Sequence, residues 1–155
     1  MANLAALGHV FPPDRYPFPV DAVRARWRLV LDDPDVEVLV VDDPELPGLA
    51  AYAAYDSGWL RHLAVHPDRW CRGLATGLLE TVLHAMAARG AVSVSLWCLE
   101  TNHRALRLYQ RLGWRASGVS RESSWPPYPT EVELTRALRT GHGQGEASAA
   151  AGADA

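Results

Sequence analysis

Val65-His-Pro-Asp-Arg-Trp-Cys-Arg-Gly-Leu-Ala-Thr-Gly-Leu-Leu79 joins an apolar run to the start of an amphipathic segment. The run from Trp59 to Val65 predicts a buried strand, and Pro67 ends it. Apolar residues then recur every three or four positions from residue 74 to residue 86, which predicts a helix that ends at Gly90. The chain therefore passes from a strand through a short loop into a helix.

That loop is suited to an anion. The backbone N–H groups of residues 72–76, at the start of the helix, lack intrahelical acceptors, and the helix dipole places partial positive charge there. Gly73, Ala75 and Gly77 are small, so a bulky diphosphate can approach the main chain. Taken alone, the pattern is equally compatible with a plain tight turn between a strand and a helix.

A second motif follows at residues 96–114, Leu-Trp-Cys-Leu-Glu-Thr-Asn-His-Arg-Ala-Leu-Arg-Leu-Tyr-Gln-Arg-Leu-Gly-Trp. The alternating run from Val92 to Leu99 predicts a central strand. Thr101 or Asn102 can cap the next helix, and Gly113 ends it. The inner stripe of this helix is formed by Ala105, Leu108, Tyr109 and Leu112.

Together, the two motifs resemble the acyl-CoA-binding segments of the GNAT N-acetyltransferase superfamily. The first is similar to the pyrophosphate loop Arg/Gln-x-x-Gly-x-Gly/Ala, with Trp70 at the Arg/Gln position and Cys71 where glycine is common. The resemblance implies an α/β fold with a mixed, mostly antiparallel central sheet, flanked by helices and splayed between its two central parallel strands. It implies one acetyltransferase domain over residues 1–140, followed by a disordered tail over residues 141–155 that is rich in Gly, Ala and Ser.

The resemblance also implies roles for two polar residues. Family members use the Asn of the second motif to hold the cofactor near its pantetheine arm, and the Tyr to protonate the departing thiolate; Asn102 and Tyr109 match these positions. Residues 102, 105, 106 and 109 share one helical face, and a phenol with a pKa of about 10 is a competent acid for a thiolate. The cofactor-binding residues expected are Leu63, Ala64, Val65, Trp70, Cys71, Arg72, Gly73, Leu74, Ala75, Thr76, Asn102, Ala105 and Tyr109.

The expected reaction is transfer of acetyl from acetyl-CoA to a primary amine by direct attack, without a covalent intermediate. A main-chain N–H at Leu63 or Val65 can stabilise the oxyanion. Tyr109 and His62 are the expected catalytic residues; His62, on the cleft strand, is the first choice as general base. The other candidate bases are Asp56, Glu100, Glu122 and a water relay.

The same residues are also compatible with purely structural roles. Asn102 can be only a helix cap, and Tyr109 can be a core aromatic residue with a satisfied hydroxyl. A non-catalytic acyl-CoA-binding or sensor domain is the alternative function; Cys71 in place of glycine and the absence of the family's first strand support it. Because no strand precedes the first predicted helix, we expect the chain to begin inside the fold or after a different translation start. The acceptor is a small-molecule amine or a peptide amine, facing loops 11–20 and 123–130, which are rich in Pro and aromatic residues.

Composition limits the class of protein. The chain has 155 residues, of which 48% are hydrophobic and 21% charged, enough for one domain. A net charge of −3 argues against nucleic acid or an anionic membrane as partner, and two cysteines are too few for a disulfide scaffold. We find no signal peptide and no apolar run of membrane length, so we expect a cytoplasmic protein. The six histidines show no ligand spacing, so no metal is expected; a homodimer is left open.

The remaining predicted elements surround the two motifs. Their bounds are a helix at 2–11, a helix at 20–31, and strands at 36–41, 49–55, 114–124 and 130–138. The helix at 20–31 is predicted from an apolar stripe at helical spacing, which consists of Val20, Val23, Trp27, Val30 and Leu31.

Overall fold

A computed structural model of the protein describes residue 12, residues 14–46 and residues 48–138. Three helices and six strands follow in the order α1 Val20–Asp32, β1 Glu37–Asp42, β2 Leu49–Tyr55, β3 Leu60–Val65, α2 Leu74–Ala88, β4 Ser93–Leu99, α3 His103–Arg111, β5 Arg115–Glu122 and β6 Thr130–Ala137. A 3₁₀ turn, Pro67–Arg69, lies between β3 and α2. The predicted strands begin and end within two residues of those observed. The predicted helix at 2–11 and the predicted tail at 141–155 lie outside the described residues.

The strands form two antiparallel sheets, β1-β2-β3 and β4-β6-β5. A single parallel bridge joins them, between Trp59 and Ser95, where the Ser95 N–H donates to the Gly58 carbonyl at 2.9 Å. No other pairing links β3 to β4 in the described part of the chain, so the two strands diverge beyond this bridge. The predicted α/β fold, with its mostly antiparallel sheet splayed between two parallel strands, is confirmed.

Helix α2 packs one apolar face against the sheet. Its residues Leu79, Val82 and Met86 recur at helical spacing and are at most 1% exposed. They pack in one cluster with Val94 and Leu96 of β4 and with alternate residues of β2. Burial of this stripe holds the first turn of α2 against the end of β3, where the predicted anion loop lies.

Helix α1 lies on the opposite face of the sheet. Its Trp27 ring packs against Tyr52 at 5.1 Å and His62 at 4.8 Å between ring centroids. Tyr52 alternates with the β2 residues that face α2, which places α1 across the sheet from α2. The predicted stripe is wrong at its ends: Val20 is 44% exposed and Leu31 is 64% exposed, so the buried stripe covers only the middle of the helix.

Candidate active site

A cavity of about 740 Å³ opens where β3 and β4 separate. Its walls are the end of β3, the loop that follows, the first turn of α2, and helix α3. Of the predicted site residues, those that line it are Leu63, Ala64, Val65, Trp70, Cys71, Gly73, Leu74, Ala75, Thr76, Asn102, Ala105 and Tyr109. The fold thus brings the two sequence motifs to one cavity, whereas His62 and Arg72 are not among its lining residues.

The loop between β3 and α2 turns sharply. Trp70 donates its indole N–H to the Val65 carbonyl at 2.9 Å, which fastens the loop to the end of β3. Cys71 and Gly73 both adopt left-handed backbone conformations, with φ of 60° and 81°. Glycine adopts this conformation freely, whereas another residue pays roughly 1–2 kcal/mol. The backbone conformation at position 71 therefore favours glycine over the cysteine that stands there.

The first turn of α2 carries unpaired donors. Its first helical bond runs from the Gly77 N–H to the Gly73 carbonyl at 3.0 Å. The N–H groups of residues 72–76 donate to no acceptor among the residues described. A Cβ placed on Gly73 would meet no atom within 4 Å, so the space in front of these groups is open. Free N–H groups at a helix start, with open space in front of them, are suited to an anion.

Tyr109 lies farther along the same cavity. Its side chain is 7% exposed, and its ring packs edge-on against Trp114 with centroids 5.7 Å apart. The hydroxyl donates to no described residue. It is nevertheless not among the side-chain N or O atoms that are both fully buried and without a hydrogen-bond partner, since in the described part of the chain the only such atom is the Trp114 indole nitrogen. The hydroxyl therefore opens into the cavity. Burial, and secondarily the nearby Cys98, raises the pKa of Tyr109, so the phenol stays protonated at neutral pH.

Asn102 acts as a helix cap and also lines the cavity. Its Oδ1 accepts a hydrogen bond from the Ala105 N–H at 3.2 Å, at the start of α3. The cap uses only the carbonyl oxygen, so the amide NH₂ stays available to a ligand. Capping and ligand binding are therefore compatible at this residue.

His62 lies outside the cavity lining, on the opposite face of β3 from Leu63. Burial, followed by the charges of Arg26 and Arg61, lowers the pKa of His62 to about 4, so the imidazole is neutral at pH 7. Among the other candidate bases, Asp56 accepts hydrogen bonds from two backbone N–H groups and from Arg61. None of the four candidates, Asp56, His62, Glu100 and Glu122, lines the cavity.

The sequence model of the Acetyltransferase (GNAT) family matches residues 4–114, well over half of the sequence. The chain belongs to this family. It is 32% identical over 108 residues to a mycothiol acetyltransferase of Acidimicrobium ferrooxidans, covering 66% of this chain and 35% of that protein. It is also 32% identical over 92 residues to a ribosomal protein bS18 alanine N-acetyltransferase of Salmonella typhimurium, covering 59% and 60%. The matches therefore span 35% and 60% of the lengths of these curated relatives.

Solved structures share the GNAT fold. The ribosomal-protein-S18-alanine N-acetyltransferase of Escherichia coli superposes with a TM-score of 0.61 at 20% identity, covering 85% of each chain. An aminoglycoside 6′-N-acetyltransferase complexed with coenzyme A gives 0.60 at 14% identity, covering 86% of this chain and 87% of that one. At these identities the likeness is one of fold alone.

The sequence reasoning missed the charge of this GNAT cavity. Among the described residues, four arginines line it, Arg69, Arg104, Arg107 and Arg111, and no carboxylate does. Arg69 is engaged, since its Nε donates to Asp43 at 2.5 Å and its Nη2 to Glu45 at 2.8 Å. The other three make no salt bridge within the described residues. The available signal was their spacing of three and four residues, which places them on one helical face.

The described residues contain no group of three or more His, Cys, Asp or Glu side chains placed to hold a metal ion. None of their helices is long and apolar enough to cross a membrane.

Proposed function

We propose that this chain is an acyl-CoA-dependent N-acyltransferase that transfers acetyl from acetyl-CoA to a primary amine. Membership of the GNAT family supports the activity, and the relatives described above are named acetyltransferases. The observation that carries the proposal is one cavity with free helix N–H groups at one wall and the open hydroxyl of Tyr109 at another. The N–H groups suit the diphosphate, and the hydroxyl suits the sulfur end of the cofactor.

The free edge of β3 supports a place for the oxyanion. The His66 N–H donates to the Ala50 carbonyl of β2, so by strand alternation the N–H groups of Leu63 and Val65 point away from β2 toward the splay. The Val65 carbonyl also points away from β2, since it accepts its hydrogen bond from the Trp70 indole N–H. The acceptor nitrogen attacks the thioester carbon, and one of these N–H groups stabilises the negative oxygen.

Collapse of the tetrahedral intermediate breaks the carbon–sulfur bond. The thiolate receives a proton from Tyr109, and a base removes the proton that the acceptor nitrogen loses. We propose His62 as that base because it adjoins the cavity residue Leu63 and its imidazole is neutral at pH 7. Its side chain lies on the opposite face of β3 and its lowered pKa makes it a weak base, so a water has to connect it to the acceptor nitrogen. The acceptor is a small-molecule or peptide amine.

A second candidate function is acyl-CoA binding without transfer. It is favoured by one observation: none of the four candidate bases lines the cavity. A non-catalytic domain would bind acetyl-CoA in the same way and would release no thiol with any amine.

The experiment combines a screen with a matched pair of variants. Wild-type protein is incubated with acetyl-CoA and a panel of small amines and peptides, and free thiol is followed. We expect release with at least one acceptor; binding by calorimetry without release from any acceptor supports the second candidate instead.

The paired variants Gly73→Asp and Gly73→Asn test where the diphosphate binds. Asp and Asn both tolerate the left-handed conformation of Gly73 and differ by one charge. We expect the Asp variant to bind acetyl-CoA at least about tenfold more weakly than the Asn variant, because its carboxylate competes for the N–H groups. Equal affinities would contradict the diphosphate site.

A further inference from the structure

One arginine connects the two walls of the cavity. The guanidinium carbon of Arg104, on α3, lies 4.0 Å from the centre of the Trp70 ring. Its Nη2 donates to the Cys71 Sγ at 3.5 Å. Trp70 and Cys71 belong to the loop that leads into α2, so the Arg104 side chain connects α3 to this loop across the cavity.

The contacts form a continuous chain across the site. The Trp70 indole N–H bonds to the Val65 carbonyl at the end of β3, while Arg104 covers the ring. The loop contains two left-handed residues, Cys71 and Gly73. Glycine adopts this conformation freely, whereas the strained conformation of Cys71 persists only where surrounding contacts hold it. In the described part of the chain no carboxylate pairs with Arg104. The contacts of its guanidinium are with the Trp70 ring and the Cys71 thiol.

We propose that Arg104 is a positioning residue for the diphosphate of the acyl donor. By clasping Trp70 and Cys71, it holds the loop in the conformation that presents the N–H groups of residues 72–76 to one anion. The inference rests on the proposed function, since the anion is the diphosphate of acetyl-CoA. Fixing the loop before binding removes an ordering cost that the ligand would otherwise meet.

A double-mutant cycle tests the clasp. Acetyl-CoA affinity is measured for Arg104→Met, Trp70→Leu and the double variant by calorimetry. Arg104 is exposed, and a cation over an aromatic ring contributes modestly at an exposed site, so each single change should weaken binding by roughly two- to fivefold. Each change also removes a contact of its own, the Trp70 bond to Val65 or the Arg104 bond to Cys71, so the double variant should lose less affinity than the product of the two single losses, because the ring contact is lost only once. Effects that multiply in the double variant would overturn the clasp.

Arg107→Met is the matched control. Arg107 lies one turn along the same helix and lines the same cavity, but its guanidinium has no ring partner in the described part of the chain. Its effect on affinity should therefore multiply with that of Trp70→Leu, as expected for residues that do not touch.

A truncated donor separates positioning from general packing. S-acetyl-pantetheine lacks the diphosphate, so its affinity, or its KM once an acceptor is known, should be unchanged by Arg104→Met. An equal loss with both donors would overturn the positioning role. If wild-type protein does not bind acetyl-CoA, the proposed function fails as well; if it binds and the cycle shows no coupling, only the role of Arg104 fails.

Discussion

At the scale of single residues, the loop depends on two left-handed positions that the chain fills differently. Gly73 reaches its φ of 81° without a steric penalty, whereas Cys71 at 60° carries a Cβ in a region that L-residues avoid. The Cys71 thiol receives a hydrogen bond from Arg104, but the ring contact of Arg104 does not involve it.

Cys71→Gly should therefore be tolerated. Relief of the left-handed strain offsets the extra backbone entropy of glycine, so we expect the melting temperature to be unchanged or higher. Acetyl-CoA affinity should stay the same or improve, since Trp70 and Arg104 remain in contact. Thermal melts and calorimetry measure both; a large loss of affinity would show that the thiol itself is required.

Tyr109→Phe tests the proton donor. Phe keeps the ring against Trp114 and removes only the hydroxyl, which has no partner in the described part of the chain, so folding and acetyl-CoA affinity should barely change. General acid catalysis contributes about 100-fold to 10,000-fold, so kcat should fall at least about tenfold with an active acceptor. An unchanged single-turnover rate in the folded variant would remove Tyr109 from the mechanism.

At the scale of elements, the turn between β1 and β2 supports the cavity through Arg69. This arginine is 8% exposed, and Asp43 and Glu45 of the turn bind its guanidinium. The hydrogen bond from Arg69 holds the pKa of Asp43 below its ordinary value. The 3₁₀ turn before the anion loop is thereby bound to the turn between β1 and β2.

Asp43→Asn should destabilise the fold more than Glu45→Gln. The Asp43 side chain is 21% exposed and binds Arg69 directly, whereas that of Glu45 is 78% exposed and solvent screens its charge. We expect a clearly lower melting temperature for the Asp43 variant and a small change for the Glu45 variant. Equal melting temperatures would show that the turn does not depend on this pair.

The packing of α1 on β3 makes stability depend on pH through His62. Its pKa is lowered to about 4 in the folded protein, against an ordinary value of about 6.5, so the unfolded chain binds the proton more readily. The free energy of unfolding should therefore fall as pH drops from about 6.5 to about 4, by about 2 kcal/mol after allowance for partial exposure. Urea titrations of wild type and His62→Gln measure it; His62→Gln should lose this part of the slope, and parallel slopes would contradict it.

At the scale of the whole molecule, overall and local charge have opposite signs. The net charge is −3, yet the described residues that line the cavity include four arginines and no carboxylate. Overall charge alone disfavours an anionic ligand, so the local field must supply the attraction.

Acetyl-CoA binding should consequently weaken with salt. Arg104, Arg107 and Arg111 are exposed, so salt screens their attraction for the ligand. The screening length is about 8 Å at physiological ionic strength and becomes shorter as salt is added. We expect the Kd for acetyl-CoA to rise several-fold as salt is increased, while that for S-acetyl-pantetheine stays nearly constant. Calorimetry across a salt series measures both; a Kd for acetyl-CoA that does not depend on salt would contradict the electrostatic contribution.

The sequence alone determined the order of the elements and the place of the anion loop. Helical spacing from Leu74 to Met86, the break at Pro67 and the small residues of the loop are local features, and local backbone chemistry acts on them directly. The roles of Asn102 and Tyr109 were implied by the resemblance to the GNAT motif, and their place on one face of one helix agrees with those roles.

The tertiary structure decided which side chains meet. The face of β3 that His62 shares with α1 depends on strand register and on the packing of Trp27, neither of which a single segment encodes. The splay depends on the single bridge between Trp59 and Ser95, and the contact of Arg104 with Trp70 joins residues 34 positions apart. Such contacts form only when separate elements bury their apolar faces together, so their geometry is a property of the packed fold rather than of any one segment.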